Sequence, residues 1–242
     1  MDDANIRAWD EFFGGYSFRL SWRHDGFRPD DASDPELDFI SQLTGEILFC
    51  PDASEPDTER IVGEMAADVV HFGEATNKGR ELVDVVGERP ELLAAYGAVC
   101  PGEADVRADI EEDGTPEFLV HVARLRIEPA HRRRGLGLCL LHKLMHVLTD
   151  SVLVVRPFPL QFGEPSGYAA PDEWRWGLGG FQGTRAQGVA KLERYYGSLG
   201  FRKIDDTWMV VSTRVRVPRL YDVLEPYRLR VASLAAGTTK EV

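Results

Sequence analysis

An apolar strand that runs directly into three arginines and two closely spaced glycines constrains this chain more than any other feature. The stretch reads Ile127-Glu-Pro-Ala-His-Arg132-Arg-Arg-Gly135-Leu-Gly137-Leu138. Upstream, Phe118 to Ile127 is apolar and rich in β-formers; downstream, Leu141, Leu144, Met145 and Leu148 recur at the spacing of one helix face. The turn between them therefore opens a helix. A helix N-terminus offers unpaired N–H groups and a partial positive charge, glycines let an anion approach the backbone, and arginines donate bidentately. Arg132, Arg133, Arg134, Gly135, Leu136, Gly137 and Leu138 thus form an expected cradle for phosphate or pyrophosphate.

Two common phosphate motifs do not fit. A dinucleotide fingerprint needs a third glycine where Leu140 stands, and a P-loop needs Gly-Lys-Ser/Thr, which is absent. The pattern Arg132-x-x-Gly135-x-Gly137, with Ile127 ending the strand and Pro129 three places before the first arginine, resembles the acyl-CoA signature of the GCN5-related N-acetyltransferases. A second block, Lys191-Leu-Glu-Arg-Tyr195-Tyr196-Gly-Ser-Leu199-Gly200-Phe201, resembles that family's helix ending in Tyr-x-x-Leu-Gly-Phe. The resemblance spans roughly residues 118 to 212.

It implies an α/β (α+β) fold with a mixed, splayed central sheet and helices on both faces. Acetyl-CoA would be the co-substrate, with Leu125, Arg126 and Ile127 lining its pantetheine arm. The implied reaction is direct acetyl transfer to a primary amine within a ternary complex, with Tyr196 protonating the departing thiolate. Spacing to Leu199-Gly200-Phe201 selects Tyr196 over Tyr195; a buried packing tyrosine is the plain alternative. Val189 stands where the family carries an asparagine, which removes one cofactor contact.

Amine acetylation also needs a base that titrates near the working pH, and histidine is the residue type that does so. His121 lies eleven residues before Arg132, at the place where some family members carry a glutamate or a histidine. Strand alternation puts it on one face with Ala123, Leu125 and Ile127 unless a bulge intervenes. A hydrogen-bonded core histidine is the other reading.

Residues 1–117 are expected to supply N-terminal strands and helices, and 118–242 the acyl-CoA-binding core. Apolar residues Ile61, Met65, Val69 and Val70 suggest helix from Thr58 to about Val86 with Asp57 as N-cap, Pro90 to Gly97 a second, and Leu220 to Leu234 one broken near Pro226. The segment 157–188, rich in Gly and Pro, is expected to be a substrate-side lid, with Trp174, Trp176, Asp172 and Glu173 as contacts for a cationic amine. His142 and His146 read as polar side chains facing solvent, since Lys143 stands where a zincin's glutamate would be; no metal is expected.

A net charge of −12 argues against a nucleic-acid partner, and no apolar run reaches membrane-spanning length. Scattered Cys50, Cys100 and Cys139 and the lack of an apolar leader suggest the cytoplasm, as a monomer or homodimer. Two rival functions remain open: a non-catalytic acyl-CoA-binding regulator, and a protein or aminoacyl acetyltransferase.

Overall fold

Seven strands form one sheet in a computed structural model that describes residues 15–24, 39–51, 58–87, 89–102, 106–110, 115–162, 176–177, 182–214 and 217–227. They are β1 (Tyr16–His24), β2 (Ile40–Phe49), β3 (Arg60–His71), β4 (Phe118–Ile127), β5 (Ser151–Val155), β6 (Arg202–Lys203) and β7 (Met209–Ser212). Their order across the sheet is β1-β2-β3-β4-β5-β7-β6. Every neighbouring pair is antiparallel except β4 and β5, which run parallel. Strands from before and after residue 117 therefore share one sheet.

Helices α1 (Phe72–Asn77), α2 (Leu82–Gly87) and α3 (Pro90–Val99) cover one face, burying Phe72, Val85, Val86, Leu92 and Tyr96 against Leu119, Val152, Val154 and Val210. Helices α4 (Leu136–Val147) and α5 (Arg185–Gly197) cover the other, where Leu140, Leu141, Leu144 and Leu199 meet Leu43, Met65, Val120, Val122 and Leu153. Each fully buried leucine stabilises the fold by about 1.5–3 kcal/mol, so the nearly all-buried α4 anchors the second core. The expected mixed α/β (α+β) sheet with helices on both faces is the one observed.

The helix expected from Thr58 does not begin there. Residues 60–71 form a strand and not a helix. Ile61, Met65 and Val69 are four apart, and a spacing of four fits both a 3.6-residue helix and a 2-residue strand period. The alternation that decides is carried by small residues: Gly63, Met65, Ala67 and Val69 lie between β2 and β4, with Val62 and Val70 also buried. Helix α3 is as expected, with Pro90 in its first turn, where a missing N–H costs nothing. The chain at 220–227 is helical, and the rest of the helix expected to Leu234 lies outside the described residues.

His142 is not a surface residue. It is 8% exposed, and its Nε2 lies 3.0 Å from the Pro218 carbonyl, to which it donates in the neutral form. Burial lowers its pKa to about 4, opposed by the Pro218 carbonyl and aided by His146. Because the unfolded histidine protonates first, stability contributed by this neutral imidazole is full above about pH 6.5 and declines as the pH falls toward about 4. The loss is expected to reach about 2 kcal/mol after allowance for partial solvent screening. Denaturant unfolding at pH 7 and pH 4.5 should show a smaller pH effect in His142→Leu than in wild type; identical pH dependence would remove this assignment.

Candidate active site

The parallel pair at the centre of the sheet comes apart halfway along β4. Residues pair from Phe118↔Ser151 to Val122↔Val155, and beyond that β4 continues to Ile127 beside β3 alone. Local chemistry explains the parting on both sides. Across the β3–β4 ladder Ala66 faces Arg124 and Ala67 faces Val122, so Ala123 is an extra, bulged residue that bends β4. On the other side Pro157 and Pro159 follow β5 closely, and neither has an N–H with which to extend a ladder.

A cavity of about 270 Å³ fills the fork. Val122 through Ile127 form one wall; Val155, Arg156 and Phe158 form another; Gly188, Lys191, Leu192 and Tyr196 of α5 close it. The Glu128 amide donates to Val62 on β3, so the two-residue period of the strand points the Leu125 and Ile127 peptide groups toward the fork. The Ile127 carbonyl accepts there from Arg132 Nε at 2.8 Å.

Arg124, Arg126, Arg132, Arg156 and Lys191 all line this cavity and, among the described residues, no acidic one does, although the whole chain carries a net charge of −12. Expected positions 125, 126, 127 and 132 are thus brought together. Arg124, Arg156 and Lys191 were not anticipated from the sequence. The pair Arg124 and Arg126 inside an otherwise apolar strand was the available signal; Arg156 and Lys191 are distant in the chain and join only through the fork.

The arginines of the turn do not converge. Arg132 folds inward and donates to the carbonyls of Ile127, Trp176 and Gly177. Arg133 is exposed with a positive φ of 65°, and Arg134 lies over the Tyr16 ring at 5.9 Å. Gly135 adopts φ 75° as the N-cap of α4, a conformation that favours glycine. At Gly137 a Cβ would collide with the Tyr195 hydroxyl and lie 3.0 Å from Leu125. Glycine here lets α4 approach β4 and lets the Tyr195 hydroxyl take the Leu138 amide. The Gly135, Leu136 and Gly137 amides begin the helix and have no carbonyl a turn earlier to bond.

Behind the turn, His131 braces it. Arg60 Nη2 can only donate, so His131 Nε2 accepts at 2.9 Å, which leaves the proton on Nδ1 for the Tyr16 oxygen at 2.7 Å. Burial first, then the Arg60 and Arg134 charges, holds the His131 pKa below the usual range and keeps this tautomer neutral.

His121 lies on the opposite face from the one its spacing suggested. The bulge at Ala123 reverses the alternation: Val120, Val122, Leu125 and Ile127 face α4, while His121 packs edge-on against Trp208, ring centroids 5.7 Å apart, on the face of α1–α3. It is 2% exposed and does not line the cavity, sitting one residue before its first wall residue, Val122. Its Nδ1 is 3.6 Å from Asp68 Oδ2, a carboxylate also held by Arg89 at 2.7 Å.

Tyr196 lines the cavity from the α4 side, and burial pushes its pKa up to about 12. Trp176 is not in an acceptor-facing position. It is 2% exposed, with the Arg126 guanidinium 4.8 Å from its ring and its carbonyl bound by Arg132, because those two cations offer a stacking partner and donors. Trp174, Asp172 and Glu173 lie outside the described residues. Burial raises the Cys139 pKa far above the usual range, and its thiol donates to the Gly135 carbonyl, so it is no nucleophile. Among the described residues, no helix is long and apolar enough to cross a membrane.

No protein-family model and no curated protein matches the chain. A solved structure described as the crystal structure of the KacTA–DNA complex is similar over 90% of this chain and 99% of that chain, with 12% identity and a TM-score of 0.35.

Proposed function

We propose that the chain is an acetyl-CoA-dependent N-acetyltransferase of the GCN5-related type, acting on an amine. The observation that carries this reading is the fork between β4 and β5, which reaches Arg132 at the start of the turn and, among the described residues, is lined by five cations and no acid. A long polyanion with an amide-bearing arm suits that combination. The co-substrate supplies an activated acyl thioester. Leu125 and Ile127 would pair with its arm as a neighbouring strand does, and the first amides of α4 with Arg132 and Lys191 would hold its phosphates.

Chemistry then falls to groups on the two sides of the sheet. β4 amides at the fork would polarise the thioester carbonyl. Tyr196, kept a phenol by a pKa near 12, would give its proton to the thiolate. His121, with its Nδ1 3.6 Å from the Asp68 carboxylate, would take the amine proton through water, since its ring does not reach the cavity wall. That burial favours the second reading, a non-catalytic acyl-CoA-binding protein, and kinetics separate the two.

The direct test is calorimetric titration with CoA. Wild type should bind in the micromolar range, more weakly as salt rises. Trp176→Ala removes the ring that holds the cavity-wall residue Arg126 in place, and should weaken binding about 2- to 30-fold, corresponding to a cation–π contact of about 0.5–2 kcal/mol. No heat of binding in wild type would overturn the function proposed.

A further inference from the structure

The side of the fork away from α4 carries its own positive charge. Past the bulge, Leu125 and Ile127 turn toward α4, so Arg124 and Arg126 turn toward the face that holds His121. On β5, Val155 packs in the α4-side core and Val154 in the other, so the same alternation brings Arg156 out on the His121 face. Arg126 is ion-paired with Glu64 at 3.2 Å. Arg124 and Arg156, by contrast, have no carboxylate within ion-pair distance among the described residues, and the Phe158 ring 5.4 Å from Arg156 steers that side chain without neutralising it.

Guanidinium groups match carboxylate and phosphate oxygens bidentately, and a cleft lined by one sign of charge concentrates ligands of the other. A diamine or other purely cationic acceptor would meet like charge here. We propose that the acceptor is a small amine that itself carries an oxyanion, carboxylate or phosphate, which Arg124 and Arg156 hold while its nitrogen faces the fork. The inference rests on the acetyltransferase reading and reverses the cationic acceptor expected from Asp172 and Glu173. In the transfer the nitrogen forms the C–N bond and gives up one proton toward His121; the C–S bond breaks, and the thiolate takes one proton from Tyr196.

Initial rates of thiol release from acetyl-CoA would be measured for matched pairs: β-alanine with β-alaninamide, and O-phosphoethanolamine with ethanolamine, with putrescine alongside. The oxyanion-bearing member of at least one pair should have kcat/KM about tenfold or more above its neutral partner, the size of one charge-assisted hydrogen bond. In Arg124→Gln/Arg156→Gln that ratio should fall to near one; taken within one protein, it cancels any change in cofactor affinity. The pair that responds identifies the oxyanion as carboxylate or phosphate. Thiol release with neutral amines or putrescine favoured, or a preference that survives the double substitution, overturns the anion site and leaves the transferase standing. Calorimetry of the same amines on the CoA-loaded protein separates the other failure: binding that needs Arg124 and Arg156 without thiol release supports the anion site and overturns transfer. Neither binding nor release overturns both.

Discussion

Tyr196→Phe should lower kcat by about 10²–10⁴-fold while CoA still binds, the loss typical of a missing general acid. The ring is buried and packs against Tyr195 and Phe201, with centroids 5.5 Å and 5.8 Å away, and phenylalanine preserves those contacts. Only the hydroxyl of this cavity-lining residue is lost. Tyr195→Phe should behave differently, because that hydroxyl serves the Leu138 amide at the start of α4; CoA affinity, and not kcat, should change. His121→Gln completes the comparison, with a fall in kcat expected at unchanged CoA affinity. If Tyr196→Phe and His121→Gln both turn over like wild type, the acid and base are misassigned. If wild type binds CoA and acetylates no amine, the non-catalytic reading, to which the 2% exposure of His121 already lends weight, replaces the enzyme.

Gly137→Val should abolish CoA binding and destabilise the protein. A Cβ there meets the Tyr195 hydroxyl, Leu125 Cδ2 at 3.0 Å and Ile127 Cδ1 at 3.3 Å, and valine adds two methyl groups to that crowding. All three neighbours belong to the closely packed contact of α4 and α5 with β4, so relief requires α4 to move off the strand. Overpacking of this kind costs about 1–3 kcal/mol, which lowers Tm by roughly 2–12 °C in a protein of this size. The first helix amides move with α4, and CoA affinity should fall at least tenfold, read by calorimetry below the transition. A lowered Tm with full CoA affinity would place the phosphates away from this turn.

The β4–α4–β5 unit was legible in the sequence because its elements carry separate signals: an apolar β-rich run, glycines at 135 and 137, a one-faced leucine pattern, and Ser151 to Val155. Three things were not legible, each for a physical reason. Ile61, Met65 and Val69 suit helix and strand equally, and only pairing with β2 and β4 decides between them. The bulge at Ala123 leaves no mark on composition, yet it moves His121 to the other face of the sheet. Trp176 followed the general rule that aromatic residues in long loops touch ligands, whereas Arg126 and Arg132 gave it a protein partner. Of the candidate site, residues adjacent in sequence were found, while Arg156 and Lys191 needed the fold to bring them beside Arg124.

The parting of β4 from β5 also has a mechanical side. The sheet order gives β1–β4 and β5–β7 a single hydrogen-bonded junction, and that junction is five residue pairs long, from Phe118↔Ser151 to Val122↔Val155. Two plates joined over so short a weld, with α4 lying across it, concentrate their relative twisting at that line. A molecule seated in the fork and bonded to both plates lengthens the weld, so its affinity is returned as resistance of the whole sheet to opening, by about 2.7 kcal/mol at a hundredfold excess over Kd. The same geometry makes occupancy of the fork a determinant of how rigidly the two halves of this protein are held together.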